Sequence, residues 1–150
     1  MIYGTEEIHR AIPHRPPFLF VDRVLEVDDK HIVAEKFLSP DLDFFKGHYP
    51  HFPVMPGVLT CESIFQAGAI LLSQQGGMME SGSVPVLARI RDARFKRLVR
   101  PGDMVALTVE LEDKVGMAFF MKGKATVNGE LAVSVSFTCA LAKTPEPMGA

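Results

Sequence analysis

A histidine and a glutamate within one short stretch are the side chains of this sequence best suited to chemistry. They are His48 and Glu62, in GHYPHFPVMPGVLTCES, residues 47–63. An imidazole changes charge near neutral pH and can accept a proton, and a carboxyl group in an apolar setting can stay protonated and donate one. Between them, Pro56 and Gly57 are typical of a helix start, where free backbone N–H groups carry partial positive charge. The stretch therefore combines a candidate base, a candidate acid and a donor for a developing anion.

Both side chains also have an ordinary structural interpretation, which the pattern alone leaves open. Glu62 lies in an otherwise apolar run, where a charge is costly unless it is paired, but a place at a solvent-facing helix edge would remove that cost. Gln66 follows one helical turn later, so its amide can hold the carboxyl oxygen. His48, in a loop stiffened by three prolines, is either a fixed base or a histidine with a single hydrogen bond.

Two other chemistries use neighbouring residues. His48, His51 and Glu62 are metal-ligand types, but the two histidines lie in a proline-rich loop rather than on one helix face, so we expect no metal site. Cys61 and His48 could form a nucleophilic pair. Adjacent helix residues point about 100° apart, so Cys61 does not share the direction of Glu62 and is expected to pack in the core.

The run that contains Glu62 predicts a long helix. Residues 54–72 are apolar on several faces, and Glu62 and Gln66 within them argue against a membrane span. The predicted helix starts at Pro56-Gly57 and ends before Gly76-Gly77. A helix that is apolar nearly all round must be covered by other parts of the chain.

Strand patterns supply that cover. Residues 18–27 and 31–38 form a predicted hairpin around a charged turn, and four alternating runs follow residue 84. Asn128-Gly129 separates the last two runs and is a strong hairpin signal. With a short amphipathic helix near residues 5–11, the sequence predicts an α+β fold in which one long central helix packs against a curved antiparallel sheet.

Composition limits the function classes. A chain of 150 residues with 47% hydrophobic and 23% charged residues is expected to form one domain, residues 1–150, with a loose tail at 144–150. A net charge of −2 argues against wholesale nucleic-acid binding. Two cysteines make no disulfide framework and the first residues do not look like a signal peptide, so we expect a reduced, cytoplasmic protein.

Three segments resemble a known family. IPHRPPFLFVDRVLEV at 12–27, FFKGHYPHFPVMPGVLTCESIFQ at 44–66 and LARIRDARFKRLVRPGDMV at 87–105 resemble the (3R)-hydroxyacyl-[acyl-carrier-protein] dehydratases of the FabZ type. The likeness covers nearly the whole chain in order and keeps the spacing of the GH-x-P, PG-V-L and E-x-x-x-Q pieces. It implies the hot-dog fold, a long helix wrapped by an antiparallel sheet.

The resemblance also implies roles for residues. His48 corresponds to the catalytic histidine and Glu62 to the catalytic acid, and the Gly57 N–H would bind the thioester carbonyl, with Val58, Phe65 and Gln66 in the substrate site. The related FabA type has Asp at the position of Glu62. No cofactor is implied, because the substrate arrives on the phosphopantetheine arm of acyl carrier protein. The family's homodimer shares its active sites, with the histidine of one subunit facing the acid of the other, and such dimers can form a trimer of dimers.

Two features concern substrate delivery and size. Six basic residues lie between residues 89 and 100 against one acid, Asp92, which would attract an acidic carrier protein. Strand alternation places Arg94, Lys96 and Arg100 on one face, although such charges can also serve only to keep an exposed edge strand soluble. The family likeness favours Lys96 and Arg97 for docking, and the expected docking residues are Arg94, Lys96 and Arg97. Phe65 stands where the family has a small residue, so its ring could narrow the acyl tunnel or reach the dimer interface instead.

The main rivals to the dehydratase hypothesis share its fold. A hot-dog thioesterase would use the same oxyanion donor, and a non-catalytic acyl-binding module would need the helix and sheet but not the acid. Retention of both His48 and Glu62 argues against the module. His14, in the PHRPP segment, is expected to stabilise the first strand rather than to act.

Overall fold

One antiparallel sheet wraps around one long helix in the computed structural model, which describes residues 2–75 and 82–143. Three helices and six strands are formed in the described residues. The helices are α1 (Thr5–Ala11), α2 (Asp43–Gly47) and α3 (Gly57–Leu72). The strands are β1 (Arg23–Val27), β2 (His31–Phe37), β3 (Ser83–Phe95), β4 (Met104–Val115), β5 (Ala118–Val127) and β6 (Glu130–Lys143). This arrangement confirms the predicted α+β class and the hot-dog architecture.

The sheet has the order β1-β2-β4-β5-β6-β3, and all neighbouring strands are antiparallel. Asn128 and Gly129 have φ angles of 51° and 80° and connect β5 to β6 with Val127 opposite Glu130. Two successive positive φ angles are what a tight hairpin turn demands, and Asn-Gly accepts them at low cost. β3 follows α3 in the chain but pairs with β6, so it forms an edge of the sheet.

The core lies between α3 and the inner face of the sheet. The helix contacts β2, β3, β4, β5 and β6, and 11 of its 16 residues are buried. β4 and β5 alternate buried and more exposed residues along most of their length, as strands with one covered face do. Gly123 on β5 leaves room for Ile64 of the helix, so this glycine sets the closest approach between the helix and the sheet. The buried helix was therefore predicted correctly, and the sheet provides its cover.

Three details differ from the sequence predictions. β1 begins at Arg23 rather than at residue 18, because the side chain of Gln66 takes the backbone groups of Phe18 and Phe20. β3 ends at Phe95, so its alternation does not reach the basic residues beyond. α2 was not predicted, since five residues are too few to show helical periodicity. The helix α3 ends at Leu72, before the Gly76-Gly77 pair, which lies outside the described residues, as does the predicted tail at 144–150.

No helix within residues 2–75 and 82–143 has the length and apolarity needed to cross a membrane. The α3 run that approaches such a length is instead enclosed by the sheet.

Candidate active site

Glu62 projects from the second turn of α3 into a cavity of about 320 Å³. Its side chain is 22% exposed. The cavity wall consists of residues 11–14, one side of α3, residues 84–87 of β3, and Cys139 on β6, and most of these side chains are apolar. Glu62 is therefore neither at an open helix edge nor fully buried, but lines a partly enclosed apolar chamber.

Gln66 fixes one oxygen of Glu62. The side-chain Nε2 of Gln66 donates to Glu62 Oε2 at 3.0 Å and to the Phe18 carbonyl at 2.8 Å, and its Oε1 accepts the Phe20 N–H at 2.7 Å. A backbone N–H can only donate, so the Gln66 oxygen must face Phe20 and its nitrogen must face Glu62. Oε2 is therefore an acceptor, and any proton on this carboxyl group is carried by Oε1.

His48 is oriented by the loop that contains it. Its Nδ1 lies 2.9 Å from the Val54 carbonyl oxygen, which can only accept a hydrogen bond. The proton of the neutral ring is therefore on Nδ1, and Nε2 keeps the lone pair that a base needs. The next residue, Tyr49, has φ of 53° and packs edge-on against the imidazole with ring centroids 4.6 Å apart. A non-glycine residue at positive φ is unfavourable, so the surrounding loop enforces this sharp turn.

His48 does not line the cavity that contains Glu62 in the same chain. Its ring is half-buried on the loop that leads to α3. Within one chain, His48 therefore lies outside the wall of the cavity that Glu62 lines.

The start of α3 offers backbone donors. Leu59 and Thr60 donate to the Pro56 carbonyl at 2.9 and 3.2 Å, whereas no acceptor lies within reach of the Gly57 or Val58 N–H in the part of the chain that the structure describes. The ring of Phe95 covers the Cα of Gly57, so that a Cβ there would lie 2.7 Å from it. The Val58 side chain is 71% exposed at the surface of the first turn. The N-terminal end of a helix of this length is favourable for a developing negative charge.

Phe65 lines the same cavity as Glu62. It is 9% exposed and packs against Phe137 with ring centroids 4.9 Å apart. The bulky ring therefore forms part of the chamber wall.

The basic residues between 89 and 100, the basic segment, lie beside the loop that carries His48, the histidine loop. They do not form one face of a strand. The prediction that Arg94, Lys96 and Arg100 share a face by alternation is wrong. β3 has irregular register between Arg91 and Arg94, where Asp92 has φ of 52°, and the strand ends before Lys96. Arg100 instead packs over the ring of Phe52, with the guanidinium carbon 5.3 Å from the centroid.

The segment after β3 is tied to its surroundings in two ways. Met55 donates to the Val99 carbonyl at 2.8 Å, which joins the basic segment to the histidine loop. Arg97 turns inward, with Nη1 donating to the Val127 carbonyl at 3.2 Å and Nε lying 3.7 Å from Glu130. Lys96 keeps its side chain at the exposed surface.

The two cysteines do not provide a nucleophile. Burial, reinforced by the negative charge of Glu62, raises the pKa of the Cys139 thiol to about 12. Burial also raises the pKa of Cys61. A nucleophilic cysteine needs the opposite shift, so both thiols are packing groups. Among the described residues, no three His, Cys, Asp or Glu side chains lie close enough to hold a metal ion.

The sequence reasoning missed His14. Instead of supporting β1, it lines the cavity, with Nε2 3.8 Å from Glu62 Oε2. The two residues lie far apart along the chain, and only the packing of residues 12–22 on α3 brings them together. The polar PHR segment next to an apolar run was the only sequence signal for this contact.

The FabA-like domain family matches residues 12–136 of this chain. Similar curated proteins carry the name 3-hydroxyacyl-[acyl-carrier-protein] dehydratase FabZ. The protein from Aromatoleum aromaticum is 45% identical over 90% of this chain and 94% of its own length. That from Geobacillus thermodenitrificans is 43% identical over 93% and 96%, and that from Blochmanniella floridana is 45% identical over 95% and 95%.

Solved structures share the fold at low sequence identity. The dehydratase heterocomplex ApeI:P from Xenorhabdus doucetiae aligns with a TM-score of 0.77 at 18% identity, covering 91% of both chains. A hypothetical thioesterase from Streptococcus pneumoniae, solved with coenzyme A, aligns at 0.66 and 12% identity over 94% of this chain and 98% of that chain. Identities this low establish a common fold only. The reaction must be inferred from the side chains of the site.

Proposed function

Because this chain belongs to the FabA-like family and, within it, to the FabZ-type 3-hydroxyacyl-[acyl-carrier-protein] dehydratases, we propose that it dehydrates (3R)-hydroxyacyl thioesters to trans-2-enoyl thioesters in fatty-acid biosynthesis. It is an enzyme of the hydro-lyase class. The observation that carries the assignment is Glu62, one oxygen of which is tied to Gln66 in a mostly apolar cavity while the other has no protein partner among the described residues.

The groups of the site account for each step. His48 Nε2 takes the proton from the carbon next to the thioester carbonyl, since its Nδ1 is engaged with Val54. The negative charge that develops on the carbonyl oxygen is met by the Gly57 N–H at the start of α3, with Val58 beside it. The electron pair of the broken C–H bond forms the double bond, and the C–O bond to the hydroxyl breaks. Glu62 either supplies a proton from Oε1 to the departing hydroxyl or orients that hydroxyl while His48 delivers the proton it has taken, and in both cases the hydroxyl leaves as water.

Two copies of the chain are needed for this chemistry. His48 lies outside the Glu62 cavity in one chain. The edge strand β3, which supplies part of the cavity wall, exposes apolar side chains that are 41–55% accessible. These side chains are Val86, Leu87, Ile90 and Phe95. A second copy covering this edge would remove them from water and bring its own histidine loop to the cavity. We place the shared sites in a homodimer, which can associate further into a trimer of dimers.

Delivery of the substrate requires no bound cofactor, because the acyl group is carried on the phosphopantetheine arm of the acyl carrier protein. The basic segment adjoins the histidine loop through Met55 and Val99, so an acidic carrier docked there would lie next to the start of α3. Arg94 and Lys96 have exposed side chains for this contact, whereas Arg97 also stabilises the chain by its bonds to Val127 and Glu130. We place the reaction in the cytoplasm.

The test of the function is a product assay with the purified protein. Offered a (3R)-3-hydroxyacyl thioester on acyl carrier protein, the protein should form the enoyl thioester, detected by mass spectrometry, without releasing free thiol. Thiol release without enoyl product would identify a thioesterase, and tight acyl binding without either product would identify a binding module.

The cavity wall at Phe65 should also limit acyl length, so a series of acyl chains in the same assay defines the accepted size.

Docking of the carrier is tested by Lys96→Glu. Reversal of one exposed charge should lower kcat/KM several-fold with the carrier-bound substrate and leave it unchanged with the same acyl group on free pantetheine, because only the carrier contacts the basic segment. Lys30→Glu in the β1–β2 turn makes the same change of charge elsewhere and should have no effect on either substrate. Equal loss with both substrates, or no dependence of the wild-type rate on salt, would remove the segment from the docking site.

A further inference from the structure

His14 lies beside the acid of the site, in the wall of the same cavity. Its Nε2 lies 3.8 Å from Glu62 Oε2, and its side chain is 28% exposed in the wall of the same cavity. Its other nitrogen, Nδ1, is buried and has no hydrogen-bond partner within residues 2–75 and 82–143. Glu62 is therefore the polar group that the imidazole faces.

The loop that carries His14 is held firmly in place. Arg15 donates through Nη1 to the carbonyls of Ile12 and His14 at 2.9 and 2.7 Å, and through Nη2 to the carbonyl of His9 at 2.9 Å. The His14 ring stacks on Phe18 at an interplanar angle of 20°, with centroids 6.4 Å apart. The geometry between His14 and Glu62 is thus set by backbone contacts and ring packing rather than by a free side chain.

The burial of Nδ1 decides which nitrogen carries the proton. A buried N–H without an acceptor loses a full hydrogen bond to water, whereas an unpaired lone pair is tolerated more readily. The neutral ring therefore places its proton on Nε2, the atom nearest to Glu62. Gln66 already donates to the same carboxyl oxygen at 3.0 Å. Two N–H groups then face Oε2, that of Gln66 at hydrogen-bond distance and that of His14 at 3.8 Å, and Oε1 is left for the substrate.

We propose that His14 is a positioning residue for the dehydration, which acts with Gln66 to hold Glu62 Oε2 so that Oε1 faces the substrate hydroxyl. The role rests on the proposed function, because Glu62 must act on that hydroxyl. It explains why a polar ring lies in a mostly apolar cavity wall, at a site where a structural residue would be expected to be apolar.

Kinetics of two His14 variants test the role. His14→Phe keeps a ring against Phe18 but removes the N–H group, and should lower kcat about tenfold to a hundredfold with little change in KM, since a carboxyl group oriented by Gln66 alone is less precisely placed in the transition state. His14→Gln returns an N–H near the same point and should recover most of the loss. His31→Gln on β2, away from the cavity, is the matched control and should match wild type. Equal loss in both His14 variants, together with a lowered Tm, would show that His14 only packs.

A spectroscopic measurement separates this role from the activity itself. Nitrogen-15 NMR of histidine-labelled protein should show the His14 signal, identified by its loss in His14→Phe, as the tautomer protonated on Nε2. Glu62→Gln should shift that Nε2 signal and leave the signal of His31 in place. Both results in a protein that forms no enoyl product would support the pairing and overturn the proposed function. A proton on Nδ1, or an Nε2 signal that does not respond to Glu62→Gln, would overturn the role of His14.

Discussion

We expect His48→Ala and Glu62→Gln each to lower the rate of 3-hydroxyacyl-carrier-protein dehydration by about 10²–10⁴-fold while leaving the fold intact. His48→Ala removes the lone pair that accepts the substrate proton. Glu62→Gln keeps the shape of the side chain but removes its proton and charge. The measurement is kcat for enoyl formation, with Tm and circular dichroism recorded for each variant to confirm that both remain folded.

The matched control for the first variant is His51→Ala, an exposed histidine in the same loop that should keep wild-type turnover.

Mixing the two inactive variants supplies the sharper test. If the two inactive variants are refolded together in equal amounts, half of the dimers combine one subunit of each kind, and one of their two shared sites is intact. Such a mixture should regain about a quarter of wild-type activity, because the proposed homodimer takes the histidine and the acid of each site from different subunits. No recovery on mixing would place both groups of a site on one chain, and near wild-type turnover in either variant would contradict the mechanism.

The parts of the fold that were predicted correctly depend on local signals. Asn128-Gly129 marks a hairpin because few other residue pairs accept two positive φ angles. Pro56-Gly57 marks the start of α3 for a similarly local reason. The start of β1 was wrong because its backbone partner is the side chain of Gln66 rather than a strand. No pattern within residues 18–27 reveals that competition.

In the candidate site, too, local signals predict some residues, whereas other contacts depend on packing between distant parts of the chain. His48, Gly57 and Glu62 lie within one short stretch, so their residue types and spacing predict them together as candidate site residues. Whether Glu62 lies at a solvent-facing helix edge or in an apolar setting remained open from the sequence, because helical periodicity does not tell which face is covered. In the structure, Glu62 lines a mostly apolar cavity and is bound by the Gln66 amide. His14 was missed because its contact with Glu62 depends on how a remote loop packs on α3.

The largest expected effect on stability is at Gly123, where β5 passes closest to α3. A Cβ at this position would overlap Cγ2 of Ile64, and it would lie 3.3 Å from Val109 Cγ2 and 3.4 Å from the Thr108 carbonyl oxygen. Neither the helix nor the paired strand β4 can move without disturbing a close-packed core. We therefore expect Gly123→Ala to lower the free energy of unfolding by about 1–3 kcal/mol, measured by urea denaturation and by Tm.

Gly47→Ala is the matched control, since a Cβ there meets no atom within 4 Å and should leave stability close to wild type. A double-mutant cycle identifies the contact responsible. Ile64→Ala alone should destabilise the protein by about 2–5 kcal/mol through the cavity it leaves. If Cγ2 of Ile64 is the obstacle, the new Cβ of Gly123→Ala occupies part of that cavity, and the double variant should lose less stability than the sum of the two single changes. Additive losses would mean that the strain arises at Val109 or Thr108, and an unchanged free energy for Gly123→Ala would show that the helix and the sheet are not packed as closely as the structure places them.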